Sequence, residues 1–327
     1  MAAIYPYQFP SKTGTGLIRA MLYLPENYEV LLEKPLQLVQ IVHGMAEHVK
    51  RYEPFCFYLA EKGIAVCLHD QAGHGASAES PEKTGFFGID NGYLRLLDDV
   101  RKTRRLALER LGQESVQTFL LGHSMGSLIS RLYCTEINHE LSGAIFSGTT
   151  GFNPMVYGGL KLAERSIRLN GPLYKDAYLA KLTGRGFLKR IDNPDTEVDW
   201  LTHDREIVKA YNDDPLCGFT FTAAGYADLY RLLIAVSSKK WAEKMPADLP
   251  LYLFSGEQDP VGQYGKGPRQ VHRWLEAAGR FATLKLYPEG RHEMLNEINR
   301  KQVWHDIMNW LNQHKTEVAH DHHQRSG

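Results

Sequence analysis

Three residues far apart in the chain carry the first chemistry that can be read from it. Ser124 lies in Leu121–Leu128, LGHSMGSL, with Gly122 and Gly126 two positions away on either side. A serine so flanked fits a turn in which a strand passes abruptly into a helix, leaving the central residue strained and its hydroxyl clear of the backbone. Glycines suit the flanks because a side chain there would collide with neighbouring backbone. A lone serine hydroxyl is a poor nucleophile near neutral pH. It needs a base within hydrogen-bond reach, and the base needs a group that fixes its tautomer and stabilises its charge. In an open α/β sheet those partners follow as an acid and then a histidine, each on a loop past a later strand. Asp259 in PLYLFSGEQDPVG and His292 in LKLYPEGRHEML meet this requirement. Glu257 is a competitor for the acid, and His272 for the base, although His272 falls on an expected helix.

Acyl chemistry also needs donors for the negative oxygen of a tetrahedral intermediate. Two backbone amides usually supply them, one after the nucleophile and one from the loop after an early strand. Met125 follows Ser124, and Met45 lies in HGMAEHVKRY after the apolar run LQLVQIV. His43 reads as a structural loop residue. Glu47 and His48 lie close enough to this loop either to contact a polar head group or to support it from behind.

The elements that must position these residues alternate between strand and helix. IYPYQF and GLIRAMLYLP flank a Gly-bearing turn and predict an antiparallel hairpin. LQLVQIV, IAVCLHD, VQTFLLG, LSGAIFSG, PLYLFSG and ATLKLYP read as buried strands. Helices are expected near 54–62, 93–111, after Ser124, near 270–278 and near 302–314. The rhythm stops between Thr149 and Leu232, which reads as irregular helices without a sheet of their own. The expected architecture is therefore α/β: a mostly parallel sheet with helices on both faces, its core formed by 1–149 and 233–314. A helical cap, 150–232, interrupts that core, and a flexible tail, 315–327, follows it. Met155, Val156, Tyr157, Leu160, Phe219 and Phe221 are candidates to line an apolar pocket in the cap, or simply to pack it onto the sheet.

Composition excludes several functions. Of 327 residues, 38 are Lys or Arg and 38 are Asp or Glu, so no net charge argues for nucleic acid or an acidic membrane surface. No apolar run is long enough to span a bilayer, and the N-terminus has no secretory pattern. Cys56, Cys67, Cys134 and Cys217 show no CxxC spacing, which predicts reduced thiols, no metal centre and a cytoplasmic protein. His320, His322 and His323 cluster in a polar tail that reads as a frayed terminus.

Taken in order, HGMAEHVKRY, HDQAGHGAS, GHSMG, SGEQDPVG and EGRHEMLNE resemble the monoacylglycerol lipase and lysophospholipase branch of the α/β-hydrolases, also called serine aminopeptidase-like hydrolases. The resemblance runs from about residue 10 to 314. It implies an α/β-hydrolase fold with a cap, a triad of Ser124, Asp259 and His292, and oxyanion donors at Met45 and Met125. It also implies hydrolysis of a small lipid ester without cofactor, with transient contact between the cap and a membrane surface. Many relatives carry arginine where this chain has Gln71. Three alternatives stay open: a short-chain carboxylesterase, an acyltransferase with the same triad, and a catalytically silent ligand-binding relative. An aminopeptidase would need cap carboxylates for a free amine; Glu164, Asp195 and Glu197 are available.

Overall fold

The computed structural model describes residues 2–14, 16–26, 36–112, 116–137 and 140–315; His320, His322 and His323 lie outside the described residues. Eight strands form one sheet: β1 (Ala3–Pro10), β2 (Leu17–Leu24), β3 (Leu36–Val42), β4 (Ile64–His69), β5 (Val116–His123), β6 (Gly143–Ser147), β7 (Leu251–Gly256) and β8 (Ala282–Tyr287). Their spatial order is β1-β2-β4-β3-β5-β6-β7-β8. The expected hairpin pairs β1 with β2 antiparallel, and β2 meets β4 antiparallel; every later pairing is parallel.

The two-residue period of each strand divides the core in two. Leu120, Ala144, Phe146, Leu251 and Leu253 point into one apolar cluster, and their neighbours Phe119, Leu121, Ile145, Tyr252 and Phe254 into another. Helices cover both clusters, which is why β3 is buried at every position. On one face lie α1 (Glu53–Glu61), through Phe55, Cys56 and Leu59, and the final long helix, through Val303, Ile307 and Leu311. The other is covered by α2 (Gly92–Leu111), through Leu96, Leu97 and Val100, and α3 (Met125–Tyr133), through Leu128, Ile129 and Leu132. Helix α2 stops at Gly112, whose φ of 63° is left-handed backbone that favours glycine.

Between β6 and β7 the chain leaves the sheet as α4 (Met155–Asn170), α5 (Ala177–Thr183), α6 (Arg205–Asp213) and α7 (Ala223–Val236), then α8 (Lys239–Glu243). Side chains cap these helices where the sequence provides them. Asp176 accepts from Tyr178 and Leu179, Asp204 from Glu206 and Ile207, and Thr222 from Gly225. Helix α7 packs on α4 and also on α2 and α3, so it joins the insertion to the core. The expected boundary at 232 falls inside α7, because the helix that begins at Ala223 runs on to Val236. Helix α9 (Lys266–Ala277) and α10 (Arg300–Gln313) follow β7 and β8. Among the described residues no helix is long and apolar enough to cross a membrane, and all four cysteines are free thiols.

Candidate active site

Ser124 sits between the end of β5 and the start of α3 at φ 53°, ψ −120°, a backbone conformation that costs a non-glycine residue about 1–3 kcal/mol. Its neighbours permit this geometry. A methyl group at Gly126 would run into the carbonyl of Val42, and one at Gly122 into the carbonyl of Gly126. From Gln117 to Cys134, Ser124 alone is not buried. Its amide donates to the Ser147 carbonyl (2.9 Å), which ties the elbow to the end of β6.

The next residue, Gly148, lies against the ring of His292: a Cβ there would stand 2.9 Å from His292 Cε1. The His123 and His292 rings are 4.8 Å apart. His292 Nδ1 hydrogen-bonds Asp259 Oδ1 at 3.0 Å, with both residues buried. The carboxylate is held in turn by the Val261 amide (2.8 Å) and the Ser255 hydroxyl (2.9 Å). Burial works against a charge on His292, yet the Asp259 carboxylate and its hydrogen bond, with Glu293 and Glu47 behind, outweigh it and raise the imidazole pKa above its ordinary value. A proton on Nδ1, facing the Asp259 carboxyl group, leaves Nε2 with a free lone pair that can take a proton. His123 goes the other way: burial, then the nearby His292, hold its pKa down at about 4, so it stays neutral. Glu257 instead pairs with Arg269 (3.0 Å) at the surface, and His272 bonds the Ala282 carbonyl on α9.

The loop after β3 passes close to the serine; a Cβ on Gly44 would be 3.2 Å from Ser124 Cβ. Met45 follows there, and Met125 opens α3, where a first-turn amide has no intrahelical acceptor. Among the described residues neither amide has a backbone acceptor in a turn or loop. His43 is a buried strut: its Nδ1 meets the Gly44 carbonyl (2.9 Å), and its Nε2 accepts from the Gln71 amide (2.9 Å). Gln71 also donates to the His43 carbonyl (2.6 Å), so the loop is tied without an arginine at that place. Asp70 holds the same region by accepting from Val49 and Ala76.

Glu47 is buried and committed. Its Oε1 accepts from the Gly44 amide (2.5 Å) and the Tyr52 hydroxyl (2.8 Å), while Oε2 pairs with Arg51 (2.7 Å). Arg51 also grips both carboxylate oxygens of Glu293, at 2.7 and 2.6 Å. Burial alone would push the Glu293 carboxyl up, but the guanidinium brings it down to about 2. One largely covered cation thereby joins the loop carrying Met45 to the loop carrying His292. His48 turns to the insertion and contacts Asp214 (2.7 Å). The insertion also holds His292 directly. The His292 and Glu293 amides donate to the Trp200 and Leu201 carbonyls, and the Trp200 ring lies 5.2 Å from the imidazole. The Arg51–Glu293 pair and Trp200 were not found from sequence. Their partners lie far apart in the chain, and only the presence of Arg51 and Glu293 in two motifs of the same resemblance hinted at the pair.

The six pocket candidates separate. Phe221 is fully buried against Phe87 and Tyr226, and Val156 is buried, so both pack the insertion onto the core. Met155 and Tyr157 are exposed at the surface of α4. Leu160 and Phe219 are partly buried against the same apolar cluster as Met45. Glu164 is paired with Arg231 and Asp195 with Arg205, while Glu197 is exposed.

Residues 33–299 match the hydrolase family described as Serine aminopeptidase, S33. The chain belongs to that family. It is 25% identical over 287 residues to a monoacylglycerol lipase of Mycolicibacterium smegmatis, covering 86% of this chain and 89% of the relative. Monoglyceride lipase of Mus musculus is 26% identical over 282 residues, with 85% and 82% covered. Among solved structures, a carboxyl esterase from Bacillus coagulans in complex with glycerol superposes with a TM-score of 0.87 at 32% identity, covering 96% of this hydrolase and 99% of that chain. A monoglyceride lipase from Saccharomyces cerevisiae shares the fold with a TM-score of 0.73 at 19% identity, covering 97% and 96%. These neighbours establish the α/β-hydrolase fold.

Proposed function

We propose that this hydrolase cleaves carboxylic esters of lipids, monoacylglycerols or lysophospholipids, through an acyl-enzyme on Ser124. The observation that carries the reading is the strained, unburied Ser124 on an elbow tied to the end of β6, where Gly148 lies against the ring of His292 in its buried pair with Asp259. His292 takes the proton of Ser124 as the hydroxyl attacks the ester carbonyl. Asp259 holds the tautomer and stabilises the imidazolium. The Met45 and Met125 amides receive the oxyanion, a term worth about 3 kcal/mol for each donor. The alcohol leaves with the proton from His292, and water, activated by the same base, releases the fatty acid.

Lipid esters are favoured over peptides by the names of the relatives and by the insertion's chemistry. Of the three carboxylates considered for a free amine, Glu164 and Asp195 already face arginines, while Glu197 is exposed. The likeness to a carboxyl esterase supports short esters as a second reading. The deciding experiment measures fatty-acid release from a monoacylglycerol and a lysophospholipid with identical acyl chains, using Ser124→Ala as the blank. Cleavage of short esters alone would leave a carboxylesterase. Failure of a fluorophosphonate to label Ser124 would overturn the nucleophile and favour a silent ligand-binding relative.

A further inference from the structure

Away from the serine, three side chains of different ligand chemistry meet where the insertion touches the core. One ligand atom each of His48, Asp214 and Cys217 lies within 4.8 Å of the other two, and His48 Nε2 meets Asp214 Oδ2 at 2.7 Å. His48 comes from the loop that also carries Met45; Asp214 and Cys217 come from the turn after α6. That turn is already seated on the core loop, because the Gly218 amide and the Tyr211 hydroxyl both donate to the Ala46 carbonyl (2.9 and 3.0 Å). Ala46 itself is held at φ 52°.

Further observations point to a cation. Arg51 is fully used by Glu47 and Glu293, which leaves Asp214 with His48 as its partner. A cavity of about 520 Å³, whose lining includes Arg19, His48, Lys50, Asp70 and Leu216, opens on the His48 side of the group and gives solvent access there. Cys217 is also the one cysteine among the four that is not buried.

We propose that His48, Asp214 and Cys217 bind a divalent transition-metal ion, of which zinc fits best, as a tie between the insertion and the oxyanion-side loop. A nitrogen, an oxygen and a sulfur suit zinc, with ligand distances of about 2.0–2.3 Å, and water from the cavity completes a tetrahedron. To bind, neutral His48 carries its one proton on Nδ1, so the proton between His48 Nε2 and Asp214 Oδ2 moves there by exchange with solvent, and the Cys217 thiol gives its proton to solvent as it becomes a thiolate ligand. Asp214 Oδ1 stays on the Leu216 amide (2.8 Å), which orients the free oxygen. The pattern escapes sequence reading because His48 and Asp214 are 166 positions apart. The ion takes no part in ester cleavage, and its test does not depend on the ester reading.

The test titrates the full chain, stripped of metal, with Co²⁺. The expected result is a thiolate-to-cobalt charge-transfer band with tetrahedral visible bands, saturating at one equivalent and displaced by Zn²⁺. The histidines of the tail have no thiolate and cannot produce that band. Cys217→Ser should remove the band, and Asp214→Asn should weaken binding at least tenfold. Zn²⁺ should raise Tm in the wild type and leave Cys217→Ser unmoved. Absence of the band in the wild type, or its persistence in Cys217→Ser, would overturn the site. If Cys217→Ser does not fold, an unchanged Co²⁺ affinity in Asp214→Asn does so equally.

Discussion

Ser124 holds a positive φ that only a rigid setting can maintain, and the groups around it give sharp expectations. Replacing it with alanine should lower ester turnover by at least about four orders of magnitude while far-ultraviolet circular dichroism stays unchanged. Asp259→Asn should cost about 10⁴-fold in kcat, because the tautomer of His292 is no longer fixed. The pH profile follows from the sign of the His292 shift. The base must be neutral, and its carboxylate partner raises its pKa, so the acid limb of kcat/KM should lie above the free-imidazole value of about 6.5. In Asp259→Asn the residual activity should show that limb moved to lower pH. A limb that stays in place would mean another group titrates.

At the scale of elements, the strand ends and the loops between them do the positioning. The triad candidates were legible because each follows a buried apolar strand and sits in a loop bounded by glycine or proline. The Arg51 clamp was not, since its value depends on Glu293 lying 242 positions away. Arg51→Ala should destabilise the fold by about 3–5 kcal/mol in denaturant titration, because it strands two buried carboxylates. The same pair gives an acid limit. Glu293 is depressed to about 2, so its contribution is complete above the unfolded-state pKa of about 4.3 and is lost as pH falls towards 2. Chemical denaturation across that window should show the loss, and Arg51→Ala should flatten it. Gly126→Ala should fail at the elbow, losing both stability and activity, because the added methyl meets the Val42 carbonyl and the strand–helix turn cannot give way.

For the molecule as a whole, the alternation of strands and helices was readable because buried strands alternate between two cores. The insertion was readable only as an interruption. Its helix α7 packs on α2 and α3, which lie in another part of the chain, and α4 packs in turn on α7. Met155, Leu162 and Leu169 recur every seven residues and form an exposed apolar stripe along α4. If this stripe meets lipid, Leu162→Asp with Leu169→Asp should reduce sedimentation with phospholipid vesicles at least tenfold and leave hydrolysis of a soluble short ester unchanged. Equal vesicle binding by both forms would remove the stripe from that role.

The two amides of the His292 loop that end on the carbonyls of Trp200 and Leu201 limit how this protein can acquire new substrates. An inserted segment is normally free to vary, yet this one also holds the loop that carries His292. Exchange of the entire insertion with that of a relative would remove the anchors of the His292 loop, and the resulting inactivity would be mistaken for poor substrate fit. Exchange restricted to α4 and α5, with 199–205 retained, leaves those anchors in place. Natural or engineered diversification should therefore concentrate in the first half of the insertion.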